Sequence, residues 1–292
     1  MATTHPATRF SVVIPIADRD SGLVPKTLPS WLALGAEDVV IATDKPASQE
    51  LWEAVAHVAR ACKSAESVRI VEVPRSDEYR FHQAFVRRSG FIAARHDAIL
   101  TGDIDLIVKK EAARAATKVG SEGIGLVSLS KIGGVTGASG ALRTVSFILM
   151  QKVSPPRFTG LYAVWRPFWL ETEDDGIRKV RDPRVEGYPE AGLGILGEDT
   201  YLYLCMKRKY VCLHDNSVYA IDVKGFVEDL PKLQYEWGRR QAELRSLPEV
   251  IVASVLLAYP NLLRGFLRQR YQKARFIDIF APGFRWSDLT GG

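Results

Sequence analysis

Short apolar runs rich in β-branched residues alternate with amphipathic segments along the first half of the chain. Such runs are typical of strands buried on both faces of a parallel sheet, and the segments between them have helical spacing. We predict strands at residues 10–16, 38–43, 68–73, immediately before Asp103 and at 124–129, separated by helices at 26–34, 48–63, 82–94 and 109–119. Strands separated by helices of this length predict an α/β fold with a mostly parallel sheet and helices on both faces.

Aspartates stand at the ends of three of these predicted strands. Asp18 follows the first strand, Asp44 the second and Asp103 the fourth. In an open parallel sheet, ligands bind beyond the carboxyl ends of the strands. We therefore expect the three carboxylates to lie along one edge of the sheet.

The sequence Asp103-Ile104-Asp105 places two carboxylates two residues apart. In an extended segment, side chains at this spacing point to one face, where they can share a divalent cation and a nucleotide diphosphate. The pattern indicates a metal-dependent transferase. Alone it is a weak signal, because two acids at a strand-to-loop junction are more often solvated turn residues.

The second half of the chain is less regular. Residues 131–143 carry four glycines but match neither GxxxxGK[ST] nor GxGxxG, so we predict a mobile loop rather than a phosphate cradle. A strand at 160–166, a helix at 197–209 and a strand at 210–213 follow. Residues 247–276 form two helical segments divided by Pro260, of which the second is amphipathic and basic. Such a helix can lie in a membrane interface or pack on the domain or a second subunit, and both alternatives stay open.

Four elements in this order resemble the GT-A fold glycosyltransferases, particularly glycosyltransferase family 2. They are an opening strand with Pro15, a second strand that ends at Asp44, the motif Asp103-Ile104-Asp105, and Gly197-Glu198-Asp199 at the start of a helix. The resemblance spans roughly residues 10–240. It implies a Rossmann-like GT-A domain over residues 1–240 that binds a nucleotide sugar, with a C-terminal amphipathic helical extension over 241–292.

The resemblance also implies roles for single residues. Asp44 would contact the nucleobase or ribose, Asp103 would face the ribose and the metal, and Asp105 would ligate Mn²⁺ or Mg²⁺ at the diphosphate. Oxygen ligands suit these hard cations. His214, after the predicted strand at 210–213, would be a late metal ligand. The other residues assigned to nucleotide-sugar binding are Pro15, Ile16, Asp18, Arg88, Ile104, Trp165 and Arg239.

Glu198-Asp199 resembles the family's ED motif, whose aspartate is the general base of inverting transfer. Asp199 would then deprotonate the acceptor hydroxyl as that hydroxyl attacks the anomeric carbon. Acids in the first turn of a helix are also favoured by the helix dipole without any catalytic role. Tyr162, Trp165 and Trp169 resemble the family's segment under the sugars, although aromatic residues in a strand more often belong to the core.

The sequence departs from the family pattern in several places. Ile16-Ala17-Asp18 stands where the family has a polar asparagine after the first proline, and Asp44 stands alone where the family repeats aspartates. These departures leave the nucleobase open. The QxxRW signature of processive synthases is missing, which favours the transfer of a single sugar.

Composition limits the compartment and the partners. Residues 1–9 lack the apolar core of a signal peptide, and the longest apolar run, residues 250–259, is shorter than the roughly 20 residues of a membrane span. The chain has 3 cysteines without metal-ligand spacing, which predicts a reduced environment. We expect a cytoplasmic protein whose residues 247–276 contact either the inner face of the membrane or another subunit of a homo-oligomer.

The leading hypothesis is a metal-dependent inverting glycosyltransferase that moves one sugar from a UDP- or GDP-sugar to a glycan or a lipid-linked acceptor. One alternative is a sugar nucleotidylyltransferase, but that family has a glycine-rich loop with a basic residue after the first strand, and residues 16–20 do not match it. A net charge of +5 also allows a non-enzymatic nucleic-acid-binding protein. That alternative rests on charge alone, so nucleic acid is not an expected partner.

Overall fold

The computed structural model describes residues 9–75, 82–133, 145, 160–172, 203, 205–223, 235, 238, 247–257 and 260–271. The chain divides into two compact units. The first comprises Met1–Lys131, Arg157–Leu193 and Gly197–Val223, and the second comprises Ile132–Pro156, Gly194–Leu196 and Lys224–Gly292. The domain boundary between residues 240 and 241 stays a prediction.

Strands and helices alternate through the first part of the chain. The elements are β1 (Ser11–Ile16), α1 (Val24–Leu32), β2 (Asp38–Asp44), α2 (Gln49–Ala61), β3 (Val68–Val73), α3 (His82–Ala93), β4 (Ala98–Thr101), β5 (Leu106–Ile107), α4 (Ala113–Ala116), β6 (Ile124–Gly133), β7 (Tyr162–Trp165) and β8 (Val211–Asp222). Short 3₁₀ helices cover Asp18–Leu23 and Lys110–Ala112. The predicted α/β class is confirmed.

The strands form one mixed sheet in the order β3-β2-β1-β4-β7-β6-β8-β5. The first four strands are parallel, since β1 pairs with β2 and β4, and β2 pairs with β3. Beyond β4 the described pairings are antiparallel: β4 with β7, β7 with β6, and β5 with β8. The parallel arrangement expected from the sequence therefore holds for the half of the sheet that contains β1 to β4.

Strand β1 is buried along its whole length because helices cover both of its faces. Val12 and Ile14 belong to the core cluster that also contains residues of α1 and α2. Val13, which points the other way, lies against α3: a Cβ atom added to Gly90 would be 2.6 Å from its Cγ1 atom. Successive strand residues point to opposite faces, so this alternation places α3 on the face opposite to α1 and α2.

Two predicted elements differ from those observed. The helix predicted at 109–119 is only the 3₁₀ turn Lys110–Ala112 followed by one turn of α-helix. No side chain caps its start, and Gly120 has a φ of 82°, so the segment has no local signal that would extend it. The strand predicted to end at residue 213 continues to Asp222, because its last residues, Ile221 and Asp222, pair with β5.

The amino end of β2 carries a buried carboxylate. Asp38 is 1% exposed and accepts hydrogen bonds from Ser11 Oγ at 2.8 Å, Arg69 Nε at 2.9 Å and the Arg95 backbone N–H at 2.9 Å. Burial raises the pKa of Asp38, but these hydrogen bonds and the charge of Arg69 outweigh it, so the pKa lies below its usual value. Asp38 thereby ties β1, β2, β3 and the segment after α3 together.

In the second unit, two helices pack against each other. They are α5 (Leu247–Leu257) and α6 (Pro260–Tyr271), joined by buried contacts among Val250, Ala253, Leu262 and Phe266. A Cβ atom added to Gly238 would lie 1.9 Å from the Leu262 carbonyl oxygen, so only glycine fits there. Among the residues described, no helix combines the length and apolar character needed to cross a membrane.

Candidate functional site

Three aspartates follow strands of the parallel half of the sheet. Asp18 begins the 3₁₀ turn after β1, Asp44 is the last residue of β2, and Asp103 comes two residues after β4. Because β1 pairs in parallel with both β2 and β4, the three strands end at the same edge. The sheet therefore brings these residues to one edge, as the sequence predicted.

The loop after Asp44 is held from both sides. Asp18 Oδ1 accepts the Ser48 backbone N–H at 3.2 Å, and Glu72 Oε1 accepts the Ala47 backbone N–H at 2.9 Å. Ser48 Oγ in turn accepts the Leu51 N–H at 3.2 Å and caps α2. Asp18 thus fixes the chain next to Asp44.

Two predicted binding residues, Pro15 and Ile16, are strand residues whose side chains are buried. Ile16 belongs to the core cluster with α1 and α2. Only the backbone groups of Pro15 and Ile16 can therefore contact a ligand at this edge.

The segment Asp103-Ile104-Asp105 is a turn rather than the extended segment that the sequence suggested. The Leu106 N–H donates to the Asp103 carbonyl oxygen at 3.3 Å, which closes the turn. Ile104 is buried inside it, whereas the Asp103 side chain is 37% exposed and Asp105 is half-buried. Packing of the apolar middle residue leaves the two acids nearer the surface. Ile104, predicted to bind the nucleotide sugar, is a core residue.

Contacts from distant parts of the first unit hold this turn. Trp31 Nε1, fully buried in α1, donates to the Leu106 carbonyl oxygen at 3.0 Å. On the other side, the Val223 N–H donates to the Asp105 carbonyl oxygen at 2.8 Å. A Cβ atom on Gly102 would lie 3.1 Å from both Leu161 Cδ1 and Trp31 Cη2, so glycine suits this tightly packed position. The backbone that carries the two acids is thus built into the core.

A buried arginine reaches the turn from α3. Arg87 is 3% exposed, and its Nη2 atom lies 3.3 Å from Asp103 Oδ1. The sequence prediction had named its neighbour Arg88, which is half-buried on the same helix. Arg87 stands four residues before Phe91 and seven before Ala94, both buried, and this helical spacing was the signal that could have found it.

His214 is not brought to the turn. It lies inside β8, where its Nε2 atom is 3.2 Å from Ser130 Oγ, and not at the end of a strand as predicted. The pairing with β5 involves Asp222, eight residues further along. At ~3.3 Å per residue that is on the order of 25 Å of strand.

Of the predicted sugar-stacking aromatics, Tyr162 and Trp169 are buried, whereas Trp165 is half-buried against the core. Trp165 pairs with Ala98 at the amino end of β4, away from the edge that carries Asp103, and a Cβ atom on Gly120 would lie 2.5 Å from its ring. Tyr162 and Trp169 are fully buried and stack with ring centroids 5.3 Å apart. The nucleotide-sugar role of Trp165 stays a prediction, and the residue lies at the end of β4 opposite to Asp103.

No protein-family model matches this sequence. No curated protein matches it in sequence either. Solved structures do match. The mannosyltransferase PcManGT from Pyrobaculum calidifontis, in complex with GDP-Man and Mn²⁺, has a TM-score of 0.54 and 16% identity, over 98% of this chain and 79% of that one. The fold is GT-A.

Two further matches have lower TM-scores. TarS 1-349 from S. aureus has a TM-score of 0.47 and 16% identity, over 97% of this chain and 77% of that one. The 4-diphosphocytidyl-2C-methyl-D-erythritol synthase from Anaerococcus prevotii has a TM-score of 0.44 and 10% identity, over 73% of this chain and 88% of that one.

The donor atoms at the GT-A sheet edge suit a hard divalent cation. Asp103 and Asp105 supply carboxylate oxygens from a rigid turn, and hard cations of this size accept a few carboxylates with water and phosphate oxygens completing the shell. Within the described ranges, no three His, Cys, Asp or Glu side chains are grouped to hold a metal ion. His214 lies apart from these two carboxylates, within β8.

Three predicted residues of the GT-A site lie outside the described residues. They are Glu198 and Asp199, assigned to catalysis, and Arg239, assigned to the nucleotide sugar. Most of the glycine-rich segment at 131–143 also lies outside them.

Proposed function

We propose that this chain is a metal-dependent, inverting glycosyltransferase. It would move one sugar from a UDP- or GDP-sugar to a hydroxyl group of a glycan or lipid-linked acceptor. The observation that carries the proposal is the buttressed turn with Asp103 and Asp105 at the carboxyl edge of a GT-A sheet. The P. calidifontis mannosyltransferase has this fold and was solved with GDP-Man and Mn²⁺, which supports a nucleotide-diphosphate sugar as the donor.

Asp105, together with Asp103, would hold Mn²⁺ or Mg²⁺. When bound, the cation would offset the negative charge that develops on the diphosphate leaving group. Asp44 would contact the base or ribose from the neighbouring strand end. Asp18 would line the same pocket while its hydrogen bond to the Ser48 N–H keeps the loop after Asp44 in place.

Asp199 would accept the proton of the acceptor hydroxyl. In a single displacement, the bond between the acceptor oxygen and the anomeric carbon forms as the bond from that carbon to the diphosphate oxygen breaks. The nucleoside diphosphate leaves with the electron pair, and the configuration at the anomeric carbon inverts. Glu198 would stand beside Asp199 at the start of the helix predicted from the sequence at 197–209.

The proposal is tested by incubating the full chain with a panel of UDP- and GDP-sugars, Mn²⁺ and candidate glycan or lipid acceptors, with detection of the glycosylated product. Asp105→Asn should lower transfer by on the order of 100-fold or more, since it removes a charge that stabilises the leaving group. Glu111→Gln is the matched control, because Glu111 is an exposed carboxylate a few residues along the same chain segment.

Three results would count against the proposal. Absence of turnover with every donor would exclude a transferase that uses these sugars. Equal activity of the Asp105 and Glu111 variants would show that Asp105 does not hold a catalytic cation. Pyrophosphate release from a nucleoside triphosphate and a sugar phosphate would instead identify a nucleotidylyltransferase.

The remaining expectations concern location and partners. The contact of residues 247–276 with the cytosolic face of a membrane, and the alternative contact with another subunit, stay predictions. Binding to vesicles and the molar mass in solution distinguish them.

A further inference from the structure

Arg87 places a positive charge inside the first unit. The residue is 3% exposed, and its guanidinium Nη2 atom is 3.3 Å from Asp103 Oδ1. A charge taken out of water costs free energy unless an opposite charge and hydrogen bonds compensate for it. The carboxylate of Asp103 is therefore paired with a guanidinium group that cannot move into solvent.

The base of the Arg87 side chain is itself held firmly. Helix α3 lies close to β1 and β2, where a Cβ atom on Gly90 would be 2.6 Å from Val13 Cγ1 and 3.1 Å from Ala42 Cβ. Phe91, the next residue on α3, is fully buried and meets Trp169 edge-on with ring centroids 5.6 Å apart. A guanidinium that starts from such a helix has few positions available.

The two oxygens of Asp103 differ. Oδ1 lies beside Arg87, whereas Oδ2 has no hydrogen-bond partner in the described part of the chain, and the side chain is 37% exposed. One oxygen is thus occupied by the protein and the other is available to a ligand at the sheet edge.

We infer that Arg87 is a positioning residue for the cation and diphosphate site. It holds Asp103 through Oδ1 so that Oδ2 faces the ligand, and its charge offsets part of the repulsion between the Asp103 and Asp105 carboxylates before a cation binds. The inference rests on the proposed function. It adds a residue from α3 to a site otherwise built from strand ends.

The test compares Arg87→Met and Arg87→Lys with the matched control Arg60→Met, an exposed arginine at the end of α2. The affinity of the full chain for Mn²⁺ in the presence of UDP or GDP is measured by calorimetry, and kcat and KM are measured with the donor that turns over. Arg87→Met should weaken Mn²⁺ binding about 10-fold and lower kcat. The Mn²⁺ affinity and kcat of Arg87→Lys should lie between those of the wild type and of Arg87→Met, since lysine keeps the charge but not the planar guanidinium group.

A double mutant separates positioning from folding. If Arg87 acts through Asp103, Arg87→Met should weaken Mn²⁺ binding much less in an Asp103→Asn background than in the wild type. Additive effects, or unchanged Mn²⁺ affinity and kcat in a less stable Arg87→Met, would make Arg87 a structural residue only. If Arg87→Met does not fold, Arg87→Lys carries the comparison, and wild-type affinity in it overturns the inference.

Binding of Mn²⁺ and nucleotide to the wild type separates a wrong role for Arg87 from a wrong proposed function. A wild-type chain that binds no Mn²⁺ with either nucleotide overturns both. A wild type that binds Mn²⁺ and nucleotide, with Arg87 variants equal to it, overturns only the role of Arg87.

Discussion

Replacing Asp38 with asparagine should destabilise the first unit far more than any change to a neighbouring surface acid. Asp38 is 1% exposed and accepts from Ser11, Arg69 and the Arg95 backbone. Removing one partner of a buried ion pair costs roughly 3–5 kcal/mol. The Arg69 side chain is 31% exposed and water can partly replace its lost partner, so we expect about 2–4 kcal/mol.

Glu37 provides a matched control one residue away. Its side chain is 53% exposed and pairs with Arg9 at 3.3 Å, so Glu37→Gln should change the free energy of unfolding by less than ~1 kcal/mol. Urea unfolding followed by tryptophan fluorescence measures both variants, since Trp31 is buried in the same unit. A loss below ~1 kcal/mol for Asp38→Asn, or one equal to that of Glu37→Gln, would refute the reasoning.

The loss of stability in Asp38→Asn should also depend on pH. Burial raises the pKa of Asp38, but the hydrogen bonds from Arg69, Arg95 and Ser11 outweigh it, so the folded pKa lies below the usual value of 3.8. A carboxyl group with a lowered folded pKa stabilises the protein above its unfolded pKa and loses that contribution as the pH falls through the folded value. The difference between wild type and Asp38→Asn should therefore be constant at neutral pH and shrink below about pH 4.

Three further predictions concern packing, the acidic turn and a thiol. Gly90→Ala places a methyl group 2.6 Å from Val13 Cγ1 and should lower the free energy of unfolding by about 1–3 kcal/mol in the same urea assay; a neutral effect would mean that α3 can move away from the sheet. Trp31→Phe leaves the buried Leu106 carbonyl without its hydrogen-bond donor, so it should lower the free energy of unfolding by about 1–3 kcal/mol and weaken Mn²⁺ binding measured by calorimetry. Unchanged Mn²⁺ affinity would show that the turn keeps its shape without this hydrogen bond. Burial raises the pKa of the half-buried Cys212 thiol to about 11, so this thiol should react with iodoacetamide at pH 8 much more slowly in the folded protein than in the unfolded chain, as measured by mass spectrometry; equal rates would contradict the raised pKa.

The parallel half of the sheet was predictable because its signals are local. The apolar runs of β1 and β2 and the Ser48 cap of α2 each lie within a few residues of one another, and the observed elements agree with them. The aspartates after these strands reach one edge as a direct consequence of parallel pairing. The local sequence pattern and the parallel pairing were together sufficient to predict strands β1 to β4 and the edge at which their aspartates lie.

The turn after β4 was located correctly but given the wrong conformation. Its shape depends on Trp31 from α1 and on Val223 at the end of β8, which lie far from Asp103 in sequence. The length of β8 was missed for a similar reason, since its last residues are strand only through pairing with β5. Such non-local contacts have no signature within a short window of sequence.

Arg87 and Trp165 show what a sequence pattern leaves open about the position of single side chains. Arg88 and not Arg87 was named from the sequence, although the helical spacing of Arg87 from Phe91 puts Arg87 on the buried face of α3. Trp165 was assigned by analogy of position, and the antiparallel direction of β7 then carried it to the opposite end of β4. Strand direction in the second half of the sheet could not be inferred from a pattern of apolar residues.

The buried carboxylate of Asp38 has a consequence for how such a protein can change. The hydrogen bonds and ion pair of Asp38 hold the strands together at their amino ends, whereas Asp18, Asp44 and Asp103 follow or end strands at the carboxyl edge. Under the proposed function, substitutions around Asp44 would alter which base or sugar is accepted without weakening the ion pair of Asp38 at the other end of β2. The exception is Asp103, which contacts the buried Arg87 and, under the proposed function, would also contact the ligand, so it should be the acid least able to vary.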